Sequence, residues 1–261
     1  MVLNEQTPMK IIITTVLVLV AISLLVKGRR RKLKGVTILG LAFIALAAIL
    51  FNRVSTDFLP IAFTSGKTYF SIAISCLYVF YAFFTHLTFY GGKKSPIKYI
   101  LVINIIAAIL MLILTISAEL QGEWANADTL PTDLHIFFSI ALYINIGMNV
   151  INSGWRFISS RVSYGEIKEN EAVEDWIKMR YKFVMISSIL WIIVGLTSPL
   201  IIASLAINIT VSLIFFAYVG LEIISWGAPK KIKAWANRNF KSKDESASMS
   251  EEEILKQMGE N

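Results

Sequence analysis

Seven separate apolar runs of about 16–25 residues constrain this chain more than any other feature, since each is close to the length of a membrane-crossing helix. Hydrophobic residues make up 56% of the chain and charged residues 16%, against about 45–50% and 25% in soluble domains. Little chain remains for a soluble catalytic domain. The sequence therefore predicts an all-α, multi-pass membrane protein with seven transmembrane helices. The runs are 11–26, 36–51, 68–90, 99–120, 135–155, about 182–196 and 200–224.

The basic residues predict the orientation of these spans. If the N-terminus lies outside, seven spans place the C-terminus in the cytoplasm, and all 25 Lys and Arg except Lys10, Arg53 and Lys67 lie on the inner side. The positive-inside rule describes this asymmetry. The cations are divided among four segments, which favours a topology signal over a nucleic-acid surface. We therefore expect a multi-pass protein of the cell membrane that has no nucleic-acid partner.

Composition shifts divide the chain into four segments. We expect a short external N-terminus at 1–10, a transmembrane bundle at 11–224, a basic juxtamembrane helix at 225–241 and a mobile acidic tail at 242–261. In the tail, Ser250 begins a capping-box pattern that predicts a short helix over 251–258.

The basic juxtamembrane segment has the pattern of an amphipathic helix. Its apolar side chains fall on one arc of a helical wheel and its cations occupy the rest, which predicts a helix lying on the anionic lipids of the inner leaflet. The residues expected at that surface are Lys230, Lys231, Trp235, Arg238 and Phe240.

The bounds of the sixth span are less sharply marked in the sequence than those of the other spans. The longest inner loop is predicted at 156–182, although its second half has a helical pattern and the sixth span is expected to begin near Trp176. The sixth and seventh spans form one apolar stretch that is too long for a single crossing. The sequence Thr197-Ser198-Pro199 offers the break, with Ser198 as a helix cap ahead of Pro199.

Polar residues recur at helical spacing on the third, fifth and seventh spans. Polar groups in spans usually face other helices or water, so these stripes either tie the helices together or line a water-filled or ligand-holding cavity. Glu222 is the only acidic residue well within an apolar run, and an ion pair with Arg156 or a nearby lysine is favoured over a proton relay. The candidate residues are Ser75, Tyr78, Thr85, Asn145, Asn149, Asn152, Asn208, Ser212 and Glu222.

The residue types required for most membrane enzymes do not occur together. Cys76 is the single cysteine, so neither an internal disulfide nor a cysteine cluster can form. His86 and His135 are predicted near opposite membrane faces, which excludes a metal site with two His ligands. No Ser/His pair or clustered carboxylates stand in the spans. We therefore expect no catalytic residues and no metal, and an enzyme is the less favoured interpretation.

Seven spans with an external N-terminus, followed by a basic amphipathic segment, form the layout of rhodopsins and G-protein-coupled receptors. The run 200–224 contains no lysine for a retinal Schiff base, so no retinal cofactor is expected. The layout, with the segment Pro229-Lys-Lys-Ile-Lys-Ala-Trp235, is also similar to the seven-helix sensor regions that precede histidine kinases in bacteria and archaea.

That resemblance implies a stand-alone sensor or receptor that contacts a separate cytoplasmic partner through the segment 156–182 and the tail. A small transporter or channel component that uses the polar stripes as its path is the alternative.

Overall fold

The structure is a computed structural model that describes residues 7–58, 66–89, 97–120, 132–171, 173–197, 205–227 and 230–238. These ranges form eight α-helices and no strand. The helices are α1 (Thr7–Arg30), α2 (Lys34–Phe58), α3 (Gly66–Phe89), α4 (Ile97–Leu120), α5 (Thr132–Ile167), α6 (Asp175–Thr197), α7 (Leu205–Gly227) and α8 (Lys230–Ala236).

Six of the described helices, α1 to α4 with α6 and α7, are long and apolar enough to cross a membrane. Six helices of this kind indicate a multi-pass membrane protein, which confirms the predicted helical membrane class. The fifth predicted span, 135–155, corresponds to α5, and its crossing of the membrane stays a prediction. The orientation of the bundle stays a prediction as well.

The distribution of side chains on α4 is that of a helix in lipid. From Val102 onward its exposed positions are aliphatic, including Ile106 and Ile113, whereas Asn104 and Thr115 are fully buried. A soluble helix buries its aliphatic face and exposes its polar one. Lipid tails solvate isoleucine well and leave polar groups to face protein, so the reversed pattern supports the membrane assignment.

One sequence-derived boundary is confirmed, because helix α6 begins at Asp175, next to the predicted Trp176. The helix is described as far as Thr197, and the break at 197–199 stays a prediction. The proposed Ser198 cap lies outside the described residues.

The predicted loop at 156–182 is wrong over most of its length. Helix α5 continues to Ile167 and α6 already begins at Asp175, so only residues 168–174 separate the two helices. Charged residues between 156 and 167 favoured a loop, but neither proline nor a Gly-Pro pair ends the helix there, and charge alone does not break one.

The juxtamembrane helix also differs from its predicted bounds. Residues 225–227 belong to α7, and α8 covers Lys230–Ala236 within the predicted 225–241. Its position on a membrane surface stays a prediction. Phe240, the acidic tail and its capping-box helix lie outside the described residues, as does most of the external N-terminus.

The helices divide into two compact units, which we call the first unit (residues 1–84 with 99–148) and the second unit (residues 85–98 with 149–261). In the first unit, α1 and α2 form a close hairpin. A methyl group added at Gly28 would overlap Thr37, whose backbone nitrogen would lie 2.7 Å away, and one at Gly40 would lie 3.1 Å from the Ala21 carbonyl oxygen. Small residues thus let the two backbones approach.

The turn between α1 and α2 is a Schellman motif with a lysine in the left-handed position. Lys32 has φ 56°, the Leu33 N–H donates to the Gly28 carbonyl at 2.9 Å, and the Lys32 N–H donates to the Arg29 carbonyl at 3.3 Å. These bonds satisfy carbonyls that the end of a helix leaves open. The hairpin geometry is therefore fixed by backbone hydrogen bonds.

In the second unit, α6 and α7 pack through aromatic rings. The Trp191 ring stacks on the Tyr218 ring with centroids 4.5 Å apart, and the Phe215 ring lies 6.4 Å from that of Trp191. Such contacts fix helices where lipid removes the hydrophobic driving force for their association. These ring contacts hold α6 against α7.

Candidate functional site

A cluster of buried charges joins three helices of the second unit. Arg156 on α5 forms an ion pair with Glu222 on α7, and both side chains are fully buried. The Arg156 Nη2 also donates to the Ser187 hydroxyl on α6 at 3.2 Å. The second carboxylate oxygen of Glu222 accepts from the Trp226 indole Nε1 at 3.1 Å. We call Arg156, Ser187, Glu222 and Trp226 the charge cluster.

A second arginine lies beside this cluster. Arg180 on α6 is buried, and its guanidinium carbon lies 5.2 Å from the centre of the Trp226 ring. The Phe89 ring also meets the Trp226 ring edge-on, with the ring centroids 6.4 Å apart. A cation over an indole face is attracted by the electrons of the ring. Arg180 therefore contacts α7 through Trp226, whereas Arg156 contacts it through Glu222.

The energetics of the charge cluster differ from those of a surface ion pair. Removing two ions from water costs several kcal/mol per ion, and their attraction compensates only when the remaining hydrogen-bonding positions are also used. Here both carboxylate oxygens of Glu222 accept a hydrogen bond. The loss of either partner would leave an uncompensated buried charge.

A second contact, which we call the clasp, joins the segment after α8 to the start of α6. The Asn237 side chain accepts from the Trp176 backbone N–H at 2.8 Å and donates to the Glu174 carboxylate at 2.8 Å. The Lys233 ammonium lies 5.7 Å from the centre of the Trp176 ring. The first N–H groups of a helix lack partners within it, so Asn237 acts as a remote cap for α6.

Comparison with known proteins finds no matching protein family, no matching curated protein and no matching solved structure. Among the described residues, no three His, Cys, Asp or Glu side chains are placed to hold a metal ion.

The predicted ion pair of Arg156 with Glu222 is confirmed. Near it, the Asn152 side chain donates to the Thr85 hydroxyl at 3.3 Å, which ties α5 to the end of α3. Asn149 is buried, and its backbone carbonyl accepts from Ser153 at 2.9 Å. Ser212 is half-buried. The side chain of Asn208 lies outside the described residues.

The remaining stripe residues belong to the first unit. The Asn145 amide donates to the Met111 sulfur on α4 at 3.1 Å and to the Ala141 carbonyl at 3.1 Å. The Ser75 hydroxyl lies 4.0 Å from the same sulfur, and Tyr78 is buried. The structure thus places the stripe in two local groups, one in each unit. A cavity shared by the third, fifth and seventh spans stays a prediction.

The residues expected at the membrane surface are largely exposed. Lys230, Lys231 and Arg238 are exposed, and Trp235 keeps 58% of its surface accessible. This exposure is what a surface helix would show. Helix α8 itself is seven residues long.

Sequence reasoning missed several residues of the site. Ser187, Arg180 and Trp226 carry no distinctive spacing, although an arginine next to an apolar run was a usable signal. Asn237 was missed because its partners stand some sixty residues earlier in the chain. Asn104 was missed because it stands alone on α4, yet it is fully buried and neither atom of its amide bonds to any described residue.

Proposed function

We propose that this protein is a membrane sensor of receptor type that transmits a signal to a separate cytoplasmic partner. The observation that carries the proposal is a short connected route from the buried ion pair to the clasp. Glu222 bonds to Trp226 one turn later on α7. Helix α8 begins three residues after α7 ends, and Asn237, directly after α8, caps α6.

In this proposal the charge cluster is the part of the protein that switches between two packings. A buried pair whose partners are both required has few intermediate arrangements, so a stimulus that separates Arg156 from Glu222 favours a distinct second packing. Small displacements in packed cores are amplified in this way. Because Trp226 bonds to the same carboxylate, the end of α7 moves with it.

The output surface comprises the connection between α5 and α6 together with α8. In the first part, Lys168, Glu169, Asn170 and Glu171 are exposed, and they carry both signs of charge. On α8, Lys230, Lys231 and Trp235 are exposed. Complementary charges of this kind orient a partner and raise its rate of association. Opening the clasp would change the distance between these two patches.

Hydrogen exchange at one amide tests this route. The full chain is placed in lipid nanodiscs, and exchange at the Trp176 N–H is measured with residue resolution in the native protein and in Glu222→Gln. Glutamine keeps the shape and removes the charge, so we expect the clasp to open more often and the Trp176 amide to exchange faster. Asn237→Leu removes the side chain that accepts from this N–H. Its exchange rate therefore gives the rate expected when the clasp is fully open.

Ser160→Ala is the matched control, because Ser160 is buried on α5 one turn after Arg156 and lies outside the route. It should leave the Trp176 rate at the native value. Acceleration by Asn237→Leu together with an unchanged rate in Glu222→Gln contradicts the sensor proposal, since the pair and the clasp would then be independent.

The first unit favours a second candidate, a small transporter or channel component. The side-chain amide of Asn104 is buried without a hydrogen bond to any described residue. The side-chain oxygen Oδ1 of Asn145 is likewise buried without one. Polar groups of this kind inside spans commonly mark substrate or ion paths. Uptake of ions or small solutes into proteoliposomes that is lost in Asn104→Leu would support this candidate over the sensor.

A further inference from the structure

A buried amide that bonds to no described residue stands on α4 in the first unit. Asn104 is fully buried, and neither its side-chain oxygen nor its side-chain nitrogen has a hydrogen-bond partner among the described residues. The other fully buried polar side chain described on this helix is satisfied locally, because the Thr115 hydroxyl donates to the Met111 carbonyl at 2.7 Å. Threonine commonly bonds to its own helix in this way. The Asn104 amide needs a partner from outside its helix.

A second group of this kind is the side-chain oxygen of Asn145 on α5. The Asn145 Nδ2 donates to the Met111 sulfur and to the Ala141 carbonyl, at 3.1 Å in both cases, whereas its Oδ1 is buried and accepts from no described residue. The Ser75 hydroxyl lies 4.0 Å from the same sulfur. Met111 therefore marks the place where polar side chains of α3 and α5 meet α4.

Groups left in this condition would be costly to bury. Moving an amide from water into apolar surroundings without a hydrogen bond is unfavourable, and a bilayer offers no solvent partner for it. Native proteins pair nearly all of their buried polar groups with other protein groups or with ordered water. Since the described protein groups leave Asn104 without a hydrogen bond, a bound molecule is the partner that can satisfy it.

The unpaired atoms also restrict the chemistry of that molecule. The Asn104 side chain presents both N–H donors and an acceptor oxygen, so its ligand has to accept as well as donate. Among the described residues, the buried charged side chains all belong to the second unit. An ion at Asn104 would meet no buried counter-charge in the described part of the first unit, which is unfavourable inside a membrane. Water is the smallest neutral molecule that meets both conditions.

We propose that the first unit binds water inside the membrane, with one water site at the Asn104 amide and another at the Asn145 Oδ1. Asn104 lies two turns before Met111 on the same buried face of α4. The bound water supplies the hydrogen bonds that the protein leaves unmade. Both sites belong to the first unit, whereas the charge cluster belongs to the second, so this inference does not depend on the sensor proposal.

Radiolytic footprinting of the full chain in lipid nanodiscs tests both sites. An X-ray pulse converts bound water into hydroxyl radicals, which oxidise a neighbouring methionine even where bulk solvent does not reach it, and mass spectrometry measures the sulfoxide. Met111 is fully buried and bonded to Asn145, so it reports on one site. Ile100→Met places a reporter at a buried position one turn before Asn104. We expect both methionines to be oxidised.

Leu39→Met is the matched control, because it introduces a methionine of similar volume at a fully buried position of α2 in the same unit. The neighbouring buried residues of that helix, Ala42 and Phe43, are apolar. We expect the introduced methionine to stay unoxidised.

Removal of each asparagine tests the assignment of the two sites. Asn145→Leu should abolish the oxidation of Met111, and Asn104→Leu added to Ile100→Met should abolish the oxidation of that reporter. A reporter that is not oxidised, or that is still oxidised after its asparagine is removed, would overturn the site it reports. Oxidation of the Leu39→Met control at the rate of the reporters would overturn both sites.

Thermal unfolding in detergent verifies that each variant is folded and adds a second criterion. Asn104→Leu removes the hydrogen bonds to water together with the amide, so we expect no increase in melting temperature. A clear increase would show that Asn104 is buried without any partner, because an apolar side chain of the same shape would then relieve a penalty. That result would also overturn the site at Asn104.

Discussion

At the scale of the residue, the buried ion pair sets the character of the second unit. Arg156 and Glu222 have left water entirely, so their attraction acts in a medium that screens it weakly and penalises either charge alone. A surface pair contributes at most about 1 kcal/mol. The charge cluster therefore makes the packing of α5 against α7 depend on two side chains.

A double-mutant cycle measures this dependence. Arg156→Met or Glu222→Met alone should lower the free energy of unfolding by about 3–5 kcal/mol, because each leaves an unpaired buried charge. The double variant removes both charges and should lose much less than the sum of the two. Denaturant unfolding in detergent micelles provides the measurement.

The hydrogen bond between Asn152 and Thr85 provides the comparison for that cycle. Asn152→Leu and Thr85→Val remove a neutral bond of 3.3 Å, and we expect a coupling free energy of about 1 kcal/mol or less. If Arg156 and Glu222 gave a coupling free energy no larger than this, the buried pair would not hold the helices as described.

At the scale of the element, local rules explain why the helix ends lie where they do. Helix α1 ends in a Schellman turn although the left-handed position is occupied by Lys32 instead of glycine. A side chain with Cβ is disfavoured in that conformation by about 1–2 kcal/mol. The hairpin of α1 and α2 therefore forms in spite of an unfavourable residue at its turn.

Replacing that lysine tests the strain directly. Lys32→Gly should raise the free energy of unfolding by about 1 kcal/mol, seen as a higher melting temperature in detergent. Lys32→Ala removes the same charge but keeps Cβ, so it should give no such gain. A gain of equal size in both variants would mean that the stabilisation comes from relieved repulsion among the neighbouring cations.

At the scale of the whole molecule, charge asymmetry predicts the orientation of the chain in the membrane. In a Cys76→Ser background, a cysteine at Asp128 should be labelled by an impermeant maleimide from outside the cell. A cysteine at Gly165, which is exposed near the end of α5, should be labelled only from the inside. The reverse pattern would contradict the positive-inside argument.

The sequence predicted the helices better than it predicted the site. Apolar runs mark helices because lipid permits few other structures, and Glu222 was singled out because one acid in an apolar run must find a partner. The extension of α5 to Ile167 was missed since charged residues there resemble a loop. The clasp was missed because Asn237 meets Trp176 only after the second unit has folded, and no local pattern encodes such a contact.

The sensor proposal requires that the charge cluster and the clasp move together. Spin labels at Glu169 and Lys231, both exposed and one on each side of the clasp, report their separation by pulsed electron paramagnetic resonance in nanodiscs. In a Cys76→Ser background we expect one narrow distance distribution, and a broader, longer one once Glu222→Gln is added. The same narrow distribution in both proteins would contradict this coupled motion.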